Sequence, residues 1–190
     1  MKPDSALFES LQPHLGLVRQ WLTLAGVTQA VLYGGALRDT DHGIAFRDID
    51  IGLPAVGDCH ATARQIAQYA ESTRMSVPCS WRNAFLLEGC QGGITIDLNF
   101  KRGVLTPEAL AHKADVGLSA IAADLFSGRV FRSPAYLNDV TTHTISLSGG
   151  WDDEKGYVYA TKIQAKYPDR PVVDETTRGV IIPPKLAAVA

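Results

Sequence analysis

The sequence predicts an α/β (α+β) protein, a small mixed β-sheet flanked by helices, and three observations carry that reading. Phe8, Leu11, Leu15, Val18 and Leu22 recur at spacings of three and four, the apolar stripe of an amphipathic helix. DIDIGL, over 48–53, alternates strictly, with Asp48, Asp50 and Gly52 on one face and Ile49, Ile51 and Leu53 on the other. ITIDLNF, over 94–100, alternates again, setting Ile94, Ile96, Leu98 and Phe100 against Thr95, Asp97 and Asn99.

The remaining elements follow in order. The first helix ends near Gly26, and QAVLY (29–33) is a short apolar strand running into Gly34-Gly35. A helical turn over 36–41 is closed by Gly43, and the first alternating strand comes next. Residues 57–74 read as a helix stopped before Pro78, and AFLLE (84–88) as a further strand. Thr106-Pro107 has the form of an N-cap with proline at the first helical position, opening a helix to Lys113. A helical turn over 118–123 and a strand over RVFRS (129–133) follow. After Gly149-Gly150, Asp152, Asp153 and Glu154 place negative charge at the start of a helix through Lys166. The stretch from Pro168, with Pro171, Pro183 and Pro184, is expected to be irregular and extended.

A length of 190 residues favours one compact unit: a main domain over 1–150, with a C-terminal helix and extended tail over 151–190 packed on it. A formal net charge of -2 gives no general support to nucleic-acid binding, although it leaves room for a local basic groove. Cys59, Cys79 and Cys90 are widely spaced and form no C-x-x-C pair, which argues against zinc and disulfides and for a reducing compartment. MKPDSALFES has no apolar h-region and no apolar run is of membrane-spanning length, so the expected location is the cytoplasm, with no membrane partner.

The chemistry concentrates in GGALRDTDHGIAFRDIDIGL (34–53). Asp48 and Asp50, at i and i+2 of a strand, leave one face together. At about 4 Å two such charges repel by roughly 4 kcal/mol, so the pair calls for a cation or a shared proton. Hard divalent ions such as Mg²⁺ take carboxylate together with phosphate oxygens, which makes a nucleoside triphosphate (NTP) the natural co-ligand. Gly34-Gly35 after a strand lets backbone approach a ligand and aims N–H groups at phosphate. Taken singly, a D-x-D is a solvated strand face and a G-G is a turn. No P-loop, dinucleotide fingerprint or calcium loop is present.

In combination, Gly34-Gly35, Arg38-Asp39, Gly43 and Asp48-x-Asp50 match G-G-x-x-R-D-x-x-x-G-x-x-x-x-D-x-D without a gap. The segment resembles the head motif of polymerase-β-like nucleotidyltransferases, in the branch of bacterial poly(A) polymerases and CCA-adding tRNA nucleotidyltransferases. KADVGLSAIAADLFSG (113–128) is similar to that family's second motif, with Asp115, Ala120, Ala122, Asp124 and Gly128 in place. The resemblance covers about 28–147 and implies a palm-like nucleotidyltransferase head. It implies that Gly34, Gly35, Arg38 and Asp39 hold or brace the triphosphate loop. It further implies that Asp48 and Asp50, with Asp97 as a third carboxylate, bind two Mg²⁺ ions, and that Lys113 and Asp115 sit by the nucleotide.

The implied reaction moves a nucleoside monophosphate from an NTP to a hydroxyl and releases pyrophosphate. The acceptor is an RNA 3′ end such as that of tRNA, a protein, or a small molecule such as an aminoglycoside. The second motif departs from the family at Ala114, Gly117 and Ser119, and no E-D-x-x-R follows, so the reading excludes a full CCA-adding enzyme. Those departures also support an alternative, a nucleotide- or partner-binding module without catalysis. Arg82, Lys101 and Arg102 are further cations within reach of phosphate, while Tyr157, Tyr159 and Tyr167 either stack on a base or pack on the head. His42 is expected to be exposed, and Trp21, Trp81 and Trp151 carry no chemistry.

Overall fold

A computed structural model describes residues 1–79, 83–148 and 154–183. Helix α1 (Asp4–Leu24) carries the predicted stripe, and all five of its residues are buried along with Leu7 and Trp21. Strand β1 (Val31–Tyr33) leads through Gly34 into α2 (Gly35–Asp41), and β2 (Ile49–Pro54) follows. Helix α3 (Cys59–Tyr69), capped by Asp58, precedes β3 (Arg74–Cys79), β4 (Ala84–Cys90) and β5 (Ile94–Lys101). Next come α4 (Pro107–Ala111), β6 (Ile121–Asp124), β7 (Val130–Arg132), α5 (Pro134–Thr142) and β8 (Ile145–Leu147). The described chain ends with α6 (Glu154–Lys166), β9 (Val172–Asp174) and β10 (Val180–Ile182).

The main sheet has seven strands in the order β3-β4-β5-β2-β1-β6-β7. Only β2 and β5 run parallel within it, so the sheet is mixed. Their register sets Asp50 beside Asp97 and Ile49 beside Ile96. One face, with Ile49, Ile51, Leu53, Ile96, Leu98 and Phe100, joins α1 in the core. The other face is partly roofed by α4, whose Leu110 packs with Leu105, Val31 and Ala122. A Cβ at Gly52 would stand 2.8 Å from Leu110 Cδ1, so the glycine on the aspartate face is what lets α4 sit so close. A second sheet, β10-β9-β8, stands apart from the first.

Four expectations are corrected. The helix expected over 57–74 stops at Tyr69, because Glu71 takes a left-handed φ of 51°, and the chain continues as β3. Pro78 lies in that strand because β3 is the sheet's outer edge, where a missing N–H is tolerated. The helical turn expected over 118–123 is a 3-10 turn at Gly117–Ser119 followed by β6. That strand lies between β1 and β7 with Ile121, Ala122 and Ala123 all fully buried, so no alternation marks it. The tail from Pro168 is not irregular: its prolines flank β9 and β10. Asp174 Oδ1 shapes the turn between these two strands by accepting from the Thr176 and Thr177 N–H groups (2.9 and 2.7 Å). Helix α5 and strand β8 were not anticipated, although Ser133-Pro134 repeats the Thr106-Pro107 cap, its Oγ accepting from the Tyr136 N–H at 3.1 Å.

Trp81, Arg82, Gly149, Gly150, Trp151, Asp152, Asp153 and Pro184 lie outside the described residues. Among the described residues no helix is long and apolar enough to cross a membrane.

Candidate active site

The site starts where β1 ends. Tyr33 pairs with Asp50 across the sheet, and Gly34 then turns the chain with φ 73° and ψ −131°, conformations open to glycine. A Cβ there would also lie 3.1 Å from Asp50 Oδ2, so the turn is pressed against the carboxylate. The Gly35 N–H hydrogen-bonds Asp50 and partly offsets its repulsion from other acids.

Asp48, Asp50 and Asp97 converge on the aspartate face. Burial, then Asp48 and Asp97, push the Asp50 carboxyl up to about 7. Asp97 is raised by burial and by Asp48, against a hydrogen bond from Asn99 Nδ2 to its Oδ1 (3.0 Å) and the charge of Lys101. Tyr33 is held well above its ordinary range by burial and by the same two carboxylates. Asp48 is the outermost acid, and its Oδ2 is gripped by Arg47 through Nη2 (2.6 Å) and Nε (3.0 Å).

Arg38 and Asp39 lie behind the glycine turn, 4% and 0% exposed. Arg38 Nε donates to Asp39 Oδ1 (2.7 Å) and its Nη1 to Ser119 Oγ (2.8 Å), while Nη2 lies 3.7 Å from where a Gly35 Cβ would be. Asp39 also accepts from Tyr167 Oη (3.0 Å) and from Lys166 Nζ, so the end of α6 is tied directly to α2. These two residues brace the turn from below.

A cleft of about 350 Å³ opens over Gly34 and Asp50. Lys101, Arg102 and Lys113 bring positive charge to it, Asp115 lies on its wall, and Tyr33, Phe100 and Tyr159 supply rings. Lys101 Nζ stands 5.7 Å from the centre of the Tyr33 ring. The structure thus gathers Gly34, Asp50, Lys113 and Asp115 in one cleft, places Asp48 and Asp97 beside it, and keeps Arg38 and Asp39 underneath.

Three contributors escaped the sequence reading: Ser119 and the rings of Tyr33 and Phe100. Tyr33 was readable as the last strand residue before the glycines; Ser119 gave no local signal. Of the three α6 tyrosines, Tyr159 reaches the cleft, its hydroxyl 3.3 Å from Ser119 Oγ, whereas Tyr167 is buried on Asp39. His42 is half-buried rather than exposed, its ring packed on Tyr167 and Tyr136.

The donor set suits a hard divalent cation: oxygen ligands only, on two adjacent strands, with a mutual repulsion that a cation would relieve. Among the described residues no group of three or more His, Cys, Asp or Glu side chains is already arranged to hold a metal ion. The Arg47–Asp48 pair shows one reason, since Asp48 faces a guanidinium.

No protein-family model matches the chain, and no curated protein does. Solved structures do. A CCA-adding enzyme in an apo form and a Thermotoga maritima CCA-adding enzyme complexed with tRNA(CCA) each superpose with a TM-score of 0.69 at 18% identity, over 93% of this chain and 44% of theirs. A CCA-adding enzyme complex with ATP gives 0.68 at 18% identity, over 92% and 44%. The chain therefore spans less than half the length of the proteins it matches. Its mixed sheet and flanking helices are the nucleotidyltransferase-type α/β fold found in CCA-adding enzymes.

Proposed function

We propose that this chain is a metal-dependent nucleotidyltransferase that transfers a nucleoside monophosphate from an NTP to a hydroxyl acceptor. One observation carries the reading: a buried carboxylate raised to about 7 lies under a strained glycine turn, beside a cleft carrying three basic side chains. An arrangement that costs stability without a ligand marks a functional site. The fold neighbours include CCA-adding enzymes in complex with CTP, with ATP and with tRNA, which supports an NTP as co-substrate and RNA as an acceptor class.

In this reading Lys101, Arg102 and Lys113 meet the triphosphate over Gly34-Gly35, and Tyr33, Phe100 and Tyr159 flank the base and sugar. Asp48, Asp50 and Asp97 would hold two Mg²⁺ ions, which supply Lewis-acid activation of the acceptor and neutralisation of triphosphate charge. The acceptor oxygen bonds to the α-phosphorus as the bond from that phosphorus to the β-bridging oxygen breaks. Pyrophosphate leaves with the electron pair, and the Asp97 carboxylate takes the hydroxyl proton. Arg38, locked by Asp39 and Ser119, keeps the turn in place, so catalysis is mostly positioning and charge stabilisation. Residues 1–150 form the catalytic head and 151–190 an arm fixed to it through Lys166 and Tyr167.

Incubation with each α-labelled NTP, Mg²⁺ and bulk RNA tests this, with Asp48→Ala/Asp50→Ala as control. Label transfer by the native chain alone is the expected result; no transfer and no NTP binding would sink the reading. The Arg47–Asp48 pair favours a second reading, a nucleotide-binding module without turnover. Thermal stabilisation by NTP in the absence of any transfer would select it.

A further inference from the structure

The largest cavity among the described residues is not the nucleotide cleft. It measures about 420 Å³, within the ~300–1,000 Å³ range of small-ligand sites, and opens at the other end of the same two catalytic strands. Lys2, His14, Phe46, Arg47, Ile49 and Thr95 are on its wall. Ile49 lies between the two aspartates of β2, Thr95 is two residues before Asp97 on the polar side of β5, and Arg47 grips Asp48. The nucleotide cleft is at the Asp50–Lys101 end and this cavity at the Asp48–Thr95 end, so the carboxylates stand between the two spaces.

The chemistry of the wall is one-sided. Two formal cations, Lys2 and Arg47, line it and no carboxylate does, which disfavours cationic acceptors such as aminoglycosides. Arg47 is held only by Asp48 and its side chain is 87% exposed, so a phosphate can engage its outer edge. His14 and Phe46 meet edge-to-face with ring centroids 5.4 Å apart, presenting aromatic surface of the kind on which unpaired bases stack. Thr40 and Thr95 add hydroxyls that can hydrogen-bond a sugar or base edge.

We infer that this cavity seats the acceptor, and that the acceptor is the 3′-terminal nucleotide of a single-stranded RNA, its base on His14 and Phe46 and its phosphate on Arg47 and Lys2. The inference rests on the nucleotidyltransferase reading for the word acceptor, but its binding test does not depend on turnover. A fluorescein-labelled short single-stranded RNA with a free 3′-hydroxyl is titrated by anisotropy, and a fluorescent ATP analogue is titrated in parallel. The expected result is that Phe46→Ala and Arg47→Glu each weaken RNA binding about 10-fold or more while the ATP analogue binds as before. Lys113→Ala is expected to do the reverse.

Arg47 is exposed and Phe46 only half-buried, so both variants should fold, and circular dichroism checks that they do. If the native chain binds the ATP analogue but no RNA, or if neither variant alters RNA affinity, the acceptor assignment is overturned and the nucleotidyltransferase reading stands. Competition for the cavity by an aminoglycoside or a peptide rather than by RNA overturns it equally. RNA binding that depends on Phe46 and Arg47 without any ATP binding upholds the RNA site and removes the nucleotidyltransferase reading.

Discussion

Two groups of acids lie within twelve residues of one another and are treated in opposite ways. Asp39 and Asp41 on α2 are buried and fully provided for: Asp39 by Arg38, Lys166 and Tyr167, and Asp41 by Tyr136 Oη (2.7 Å), the Lys2 N–H (2.6 Å) and Arg132. Burial alone would raise Asp41, yet those partners together hold it below the ordinary carboxylate range. Asp50 and Asp97 are also largely buried, but what faces them is mainly other carboxylate, and both are raised. The α2 acids stabilise the fold, whereas the strand acids are kept under-neutralised at its expense, as a binding site for cations requires.

The largest expected effect comes from making the second group resemble the first. Asp50→Asn should lower nucleotidyl transfer by about 10³-fold or more while leaving a better-folded protein. With metal absent, it removes a group whose carboxyl moves from 3.8 to about 7, so the gain at neutral pH is on the order of 2–4 kcal/mol. The sign follows from proton uptake: the folded state holds the Asp50 proton to higher pH than the unfolded state. Stability contributed by Asp50 is therefore lost as pH rises from about 4 to about 7, and chemical denaturation across that range should show a slope that Asp50→Asn flattens. Asp41 has the opposite sign, with stability present above the ordinary carboxylate range and lost on acidification. A substitution at Asp50 that left both transfer and the pH slope unchanged would erase the distinction between the two groups.

Next is the converse, stripping the first group. Asp39→Ala leaves Arg38 buried without its carboxylate and frees Lys166, and should cost about 3–5 kcal/mol in urea unfolding. Gly34→Ala follows at about 1–3 kcal/mol from the positive φ and the 3.1 Å approach to Asp50 Oδ2, with NTP binding weakened as well. Smallest is Arg47→Ala. An exposed pair contributes little, so melting should shift by less than about 0.5 kcal/mol, and a larger loss would mean that Asp48 belongs with the structural acids.

Much of this arrangement was legible in the chain. Alternation placed Asp48, Asp50 and Asp97 on one side of their strands because strand periodicity is two and needs no partner to be read. The unbroken spacing from Gly34 to Asp50 singled out the turn and the strand together. Illegible elements had no amphipathic signal: β6 is buried on both faces, and β3 hides behind a proline that only an edge position tolerates. Arg38 and Asp39 were marked by motif, but nothing local distinguished a phosphate contact from a buried brace. That depended on Ser119, 81 residues from Arg38, and on Lys166, 127 residues from Asp39.

The sequence by itself determined which residues could do chemistry: two glycines after a strand, and carboxylates at positions that must share a face. Tertiary structure alone decided which acids are neutralised, what lines the nucleotide cleft, and where a second cavity opens. The reason is range. Side-chain direction is set by neighbours one or two residues away, whereas burial and charge pairing are set by segments that meet only once the sheet has closed and α6 has docked on α2.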